Sequence, residues 1–174
     1  MKLFDVYPLY EVTPVKAKGV YVYDEKRQKY LDLYGGHAVI SIGHSHPHFV
    51  RKISRQLRRI GFYSNAIQNP LQAQLASAIG ERSCLHEFEL FLCSTGAEAI
   101  ENALKLSSFH TGRKKVIAFH GAFHGRTSAA VAVTDNPNIN APLNSQHEVT
   151  FLPFNDVEAL EKELATKAYC AVIF

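Results

Sequence analysis

The chain has 174 residues, with 19 Lys plus Arg against 16 Asp plus Glu, and so a net charge of +3. Hydrophobic residues make up 47% and charged residues 20%, the values of an ordinary globular protein, and 11 Phe with 8 Tyr exclude a disordered chain. The charge surplus, with a pI of 8.7, is too mild to point to nucleic acid. No apolar run approaches the ~18 residues that a membrane helix needs, and Met1-Lys2-Leu3-Phe4-Asp5 does not open a signal peptide. Cys84, Cys93 and Cys170, an odd count without a CxxC pair, fit reduced thiols in a cytoplasmic protein.

In chain order, Val20 to Tyr23 is a β-branched and aromatic run, Asp24 to Lys29 a polar turn, and Tyr30 to Tyr34 the returning strand, broken by Gly35-Gly36. Phe49, Val50, Ile53, Leu57 and Ile60 then recur at three- and four-residue steps, which predicts a helix ending at Gly61. A second helix is predicted over Leu71 to Ile79, after Pro70. Strands are expected at Phe88 to Cys93, Val116 to Phe119, Val149 to Leu152 and Tyr169 to Phe174. Helices are expected from Thr95 to about Phe109 and, capped by Asn155 with Glu158 as its capping-box partner, through Thr166. Short apolar strands alternating with amphipathic helices predict an α/β fold, a mostly parallel sheet with helices on both faces. A chain stopping at Phe174, in or at the end of a strand, is expected to be truncated.

Two stretches carry candidate chemistry. Phe91-Leu92-Cys93-Ser94-Thr95-Gly96-Ala97-Glu98-Ala99 reads as strand, tight turn and helix start, with Thr95 and Glu98 spaced as a capping box. A helix N-terminus offers N–H groups and the positive end of the dipole to a phosphate, and Gly96 and Ala97 have no bulk to keep its oxygens away. The same residues also read as a plain helix cap in an α/β fold. The second stretch is Phe119-His120-Gly121-Ala122-Phe123-His124-Gly125-Arg126-Thr127, a loop after a strand. It can present the flat face of Phe123 beside the carboxylate-binding fork of Arg126, or else be a packed loop with Phe123 in the core.

Other polar clusters read more plainly. Alternation in His44-x-His46-x-His48, near His37, would line three imidazoles along one side of a strand, but Pro47 interrupts it and no acidic or Cys ligand lies within the run, so no metal is expected. Arg51, Lys52, Arg55, Arg58 and Arg59 fall mostly off the apolar helix stripe and read as a solvated face.

Taken together, these stretches resemble the class III pyridoxal-phosphate-dependent aminotransferases of fold type I, and within them the acetylornithine/succinylornithine aminotransferase group. The resemblance runs over the whole chain, through Tyr30-Leu31-Asp32-Leu33-Tyr34-Gly35-Gly36, Gly43-His44-Ser45-His46-Pro47, Ser64-Asn65, Ser94 to Ala99 and Gly121 to Thr127. It implies that residues 1–62 are the N-terminal segment of the small domain and residues 63–174 the first part of the large, cofactor-binding domain. It also implies that Gly96 and Ala97 hold the phosphate of pyridoxal 5'-phosphate through backbone N–H groups, that Phe123 stacks on its ring, and that Arg126 grips the substrate α-carboxylate. The expected reaction moves the δ-amino group of N-acetylornithine or N-succinylornithine to 2-oxoglutarate, in a homodimer. Relatives acting on ornithine or 4-aminobutyrate share these motifs, and a non-catalytic phosphate-binding module is the reading from another class. No lysine here matches the family's Schiff-base position, so no catalytic residue is assigned and the chain is expected to be inactive alone. Thr95 stands where the family usually carries Ser, and His37 where a smaller or aliphatic residue is expected.

Overall fold

The computed structural model describes residues 1–2, 6–64 and 66–174. Leu3, Phe4, Asp5 and Asn65, quoted above, lie outside the described residues. The chain forms two compact units, Met1–Gln74 and Leu75–Phe174.

The first unit is built on an antiparallel meander of β1 (Pro14–Lys18), β2 (Tyr21–Asp24) and β3 (Lys29–Leu31). The β2–β3 turn is tied by the buried Asp24 carboxylate, which accepts from the Gln28 amide at 2.8 Å and from the Tyr30 hydroxyl at 2.9 Å. The returning strand stops at Leu31 and does not reach Tyr34. Asp32 Oδ1 accepts from the amides of Tyr34 (3.0 Å) and Gly35 (2.7 Å), an Asx turn that bends the chain out of the sheet. A single irregular turn, α1 (Gly35–Ala38), follows, with Gly35 and Gly36 at positive φ.

The second carboxylate oxygen of Asp32 meets His44 Nε2 at 2.7 Å, while the His44 backbone bonds both ways with Gly19. His37 meets the Tyr34 hydroxyl at 2.7 Å. His46 precedes α2 (Pro47–Leu57), whose first residue is Pro47, so the three alternating histidines do not share a strand. Among the described residues no group of three or more His, Cys, Asp or Glu could hold a metal ion. The α2 stripe of Phe49, Val50, Ile53 and Leu57 is exposed. Helix α3 spans Pro70–Ser83.

The second unit is the α/β part. β4 (Lys115–Phe119) is central, with β5 (Val149–Leu152) and β6 (Tyr169–Val172) parallel to it on either side. Alternation along β4 splits the core in two. Val116 and Ala118 face Leu104 of α4 (Gly96–Thr111), together with Val133 just after α5 (Ser128–Ala132). Ile117 and Phe119 face the other way, toward Leu160 of α6 (Val157–Ala165). A strand covered on both faces must be apolar throughout, which is why Val-Ile-Ala-Phe carries no polar alternation.

Two expectations fail here, and one helix is unforeseen. Phe88 to Cys93 is not a strand: it lies outside the β5-β4-β6 order, and an extended run without a neighbour forms no ladder. The α6 cap is Asp156, which accepts from the Ala159 amide at 3.0 Å, because Asn155 sits at φ +66°, outside the extended geometry a capping residue adopts. Helix α5, unpredicted, buries Ala130, Val131 and Ala132. Among the described residues no helix is long and apolar enough to cross a membrane.

Candidate functional site

Parallel α/β sheets bind ligands beyond the carboxyl ends of their strands. In this unit that is the end of β4, where the chain leaves Phe119 for the loop His120–Arg126. The loop is pinned from the far side of α5. Asp135 Oδ2 accepts from the Gly121 amide at 2.9 Å and meets His120 Nδ1 at 3.2 Å, and the Asp135 amide donates to Ala122 O at 3.0 Å. The Gly121 amide, then the His120 imidazole, hold the Asp135 carboxyl below its ordinary pKa. Thr134, almost wholly buried, accepts from the His124 amide at 2.9 Å and donates to Ala130 O at 2.8 Å. His124 Nε2 is buried without a hydrogen-bond partner among the described residues, and burial lowers the pKa of the ring.

Helix α4 brings the second element. Thr95 is extended at the N-cap, and its hydroxyl accepts from the Glu98 amide at 3.1 Å. Glu98 Oε2 returns the bond to the Ser94 amide at 2.8 Å, one residue ahead of the position a regular capping box uses. The first bond along the helix runs from the Ala99 amide to Thr95 O, so the amides of Gly96 and Ala97 head the helix before its ladder begins. Gly96 is exposed, and a Cβ built on it would find nothing within 4 Å, so no side chain crowds that position.

Gly125 joins the two elements. It is buried at φ +143°, and a Cβ there would lie 2.8 Å from Ala97 Cβ and 3.0 Å from Ala130 Cβ. Only a residue without a side chain lets the loop close on the start of α4. Of the predicted site residues, Gly96 and Ala97 thus lie at the head of α4, and Phe123 and Arg126 flank the glycine that packs against it. Phe123 is 64% exposed, not a core residue, so its ring face is available. A cavity of about 550 Å³, lined by Leu104, Val116, Val133 and Cys170, touches none of these four residues. Sequence reasoning missed Glu101, Thr134 and Asp135, which reach the Ala130, His124 and Gly121 amides 29, 10 and 14 positions away in the chain.

The pattern of the aminotransferase class-III family matches residues 6–174. The acetylornithine aminotransferase of Archaeoglobus fulgidus is 36% identical over 98% of this chain and 45% of its own length. A [LysW]-aminoadipate semialdehyde/glutamate semialdehyde transaminase of Sulfolobus acidocaldarius is 36% identical over 93% of this chain and 42% of its own. The crystal structure of the ornithine aminotransferase of Toxoplasma gondii superposes with a TM-score of 0.87 at 25% identity, covering 98% of this chain and 42% of that one. The chain thus spans less than half the length of these relatives. It belongs to the class III aminotransferases, a pyridoxal-phosphate-dependent family of fold type I.

Proposed function

We propose that these residues are the N-terminal portion of an aminotransferase that moves the δ-amino group of N-acetylornithine, or N-succinylornithine, to 2-oxoglutarate in arginine biosynthesis. One observation carries the reading: Gly125 closes the Phe123–Arg126 loop onto the head of α4, in a chain 36% identical to an acetylornithine aminotransferase. On this reading residues 1–62 belong to the small domain and 63–174 to the large one, and the working unit is a cytoplasmic homodimer.

The residues present fit pyridoxal phosphate. The cradle at Gly96 is open to an anion, and the helix dipole adds to its attraction. The Gly96 and Ala97 amides would hold the phosphate, and Phe123 would cover one face of the ring. When bound, the cofactor supplies an electron sink that lets an amino group pass between carbon skeletons. Arg126 would bind the substrate α-carboxylate as a two-pronged fork, fixing the end of the substrate away from the reacting nitrogen. These 174 residues offer no lysine in the position the family uses to hold the cofactor covalently.

A second reading, transfer from ornithine or another ω-amino acid, is favoured by the likeness to the Toxoplasma gondii enzyme. Steady-state assays of the full-length enzyme with N-acetylornithine, N-succinylornithine, ornithine and 4-aminobutyrate separate the two. The proposal requires the highest kcat/KM with an N-acylated donor; a preference for ornithine or 4-aminobutyrate overturns it.

A further inference from the structure

Helix α5 lacks its own cap. Thr127 stands at its N-cap position in extended geometry, yet its side chain accepts no bond from the helix. The hydroxyl turns outward and donates to Glu101 Oε1 at 2.7 Å. The same oxygen accepts from the Ala130 amide at 3.1 Å, the third amide of α5 and one a capping side chain commonly takes. A carboxylate on α4 thus caps α5 from outside, 29 positions away in sequence. A charged acceptor at a helix N-terminus also complements the dipole, so the arrangement is stabilising twice over.

The position of this bond gives it a second consequence. Glu101 lies on α4, five residues after Gly96, and Thr127 follows Arg126 directly. Between them Gly125 touches Ala97 and Ala130. The two hydrogen bonds and the glycine contact close a ring of interactions that sets the start of α4 against the loop carrying Phe123 and Arg126. We propose that Glu101 is a positioning residue. It touches neither substrate nor cofactor, and it fixes where Arg126 stands relative to the Gly96 and Ala97 amides. The proposal rests on the carboxylate role given to Arg126 above. A carboxamide at position 101 keeps an oxygen able to accept both bonds, whereas a methyl group accepts none, and that difference defines the test.

In the full-length enzyme, Glu101→Ala, Glu101→Gln and Arg126→Ala are compared with wild type. Hydrogen exchange of the segment 121–134 is read in the apo form, and KM for the amino donor and kcat in the holo form. Glu101→Ala is expected to lose exchange protection over 121–134 and to raise KM about tenfold or more, with a smaller change in kcat, as a misplaced binding group does. Glu101→Gln is expected to restore both to within about twofold, since its oxygen still accepts both bonds. Should Glu101→Ala fail to fold, Thr127→Val, which removes only the hydroxyl bond, is expected to raise KM with Thr127→Ser restoring it. An unchanged KM in a folded Glu101→Ala, while Arg126→Ala raises it, overturns the positioning role and leaves the carboxylate reading standing. An unchanged KM in Arg126→Ala overturns both. A rise in KM in Glu101→Ala that Glu101→Gln does not reverse also overturns the role, because the accepted bonds would then not be its cause.

Discussion

Gly125 shows most directly how one residue makes the site. Its backbone is at φ +143°, a conformation that side-chain-bearing residues rarely adopt, and its missing Cβ is what allows contact with Ala97 and Ala130. Gly125→Ala adds a methyl 2.8 Å from Ala97 Cβ and strains the backbone, so it is expected to cost about 1–3 kcal/mol of stability. Denaturant titration checks this, and a loss below about 0.5 kcal/mol, the size of an ordinary surface change, contradicts it. Asp135 adds a pH dependence. Its carboxyl is held below the ordinary value by the Gly121 amide and the His120 ring. A carboxyl lowered in the folded state contributes stability that is present above its unfolded pKa, about 3.9, and lost as the pH falls through the lower folded value. Acid below about pH 4 is therefore expected to unpin the loop. Hydrogen-exchange protection of the Gly121 amide should fall over that range in wild type and lose this pH dependence in Asp135→Asn. Protection independent of pH in wild type contradicts the account.

At the scale of elements, helix caps decide the geometry. Thr95 accepts from the Glu98 amide at 3.1 Å, and Thr95→Ala removes the cap from the helix that would bear the phosphate. The expected cost is about 1 kcal/mol, recovered by Thr95→Ser, which keeps the hydroxyl; denaturation of the three proteins checks both. Strands β4, β5 and β6 and helices α2 to α4 are legible in the sequence because each has an apolar period or run bounded by turn residues. Helix α5 is not, since Ser-Ala-Ala-Val-Ala is a five-residue helix with Ala130, Val131 and Ala132 buried in a row, too short to show an apolar period. Phe88 to Cys93 has the composition of a strand and lacks one in the structure, because composition does not supply a pairing partner. The candidate site divides the same way. Gly96, Ala97, Phe123 and Arg126 are proposed from the sequence because each stands in a short local motif. Glu101 is not, because its bonds reach Thr127 and Ala130, 26 and 29 residues on, and nothing local marks a helical glutamate as the cap of another helix.

Over the whole molecule, the second unit has a small three-stranded parallel sheet with helices on both faces, while the first has an antiparallel meander fastened by Asp32 and His44. The pieces proposed to hold phosphate, ring and carboxylate all fall in the second unit, gathered at the end of its central strand. The first unit carries no proposed cofactor contact, and its α2 stripe is exposed. An aminotransferase that reads its donor by the α-carboxylate must lose that donor when the fork is removed. The most direct measurement is kcat/KM of the full-length enzyme with N-acetylornithine, for wild type and Arg126→Ala. The account predicts a loss of about 2–5 kcal/mol, roughly thirtyfold or more, carried mainly by KM. An unchanged kcat/KM would contradict it and take the carboxylate site away from Arg126.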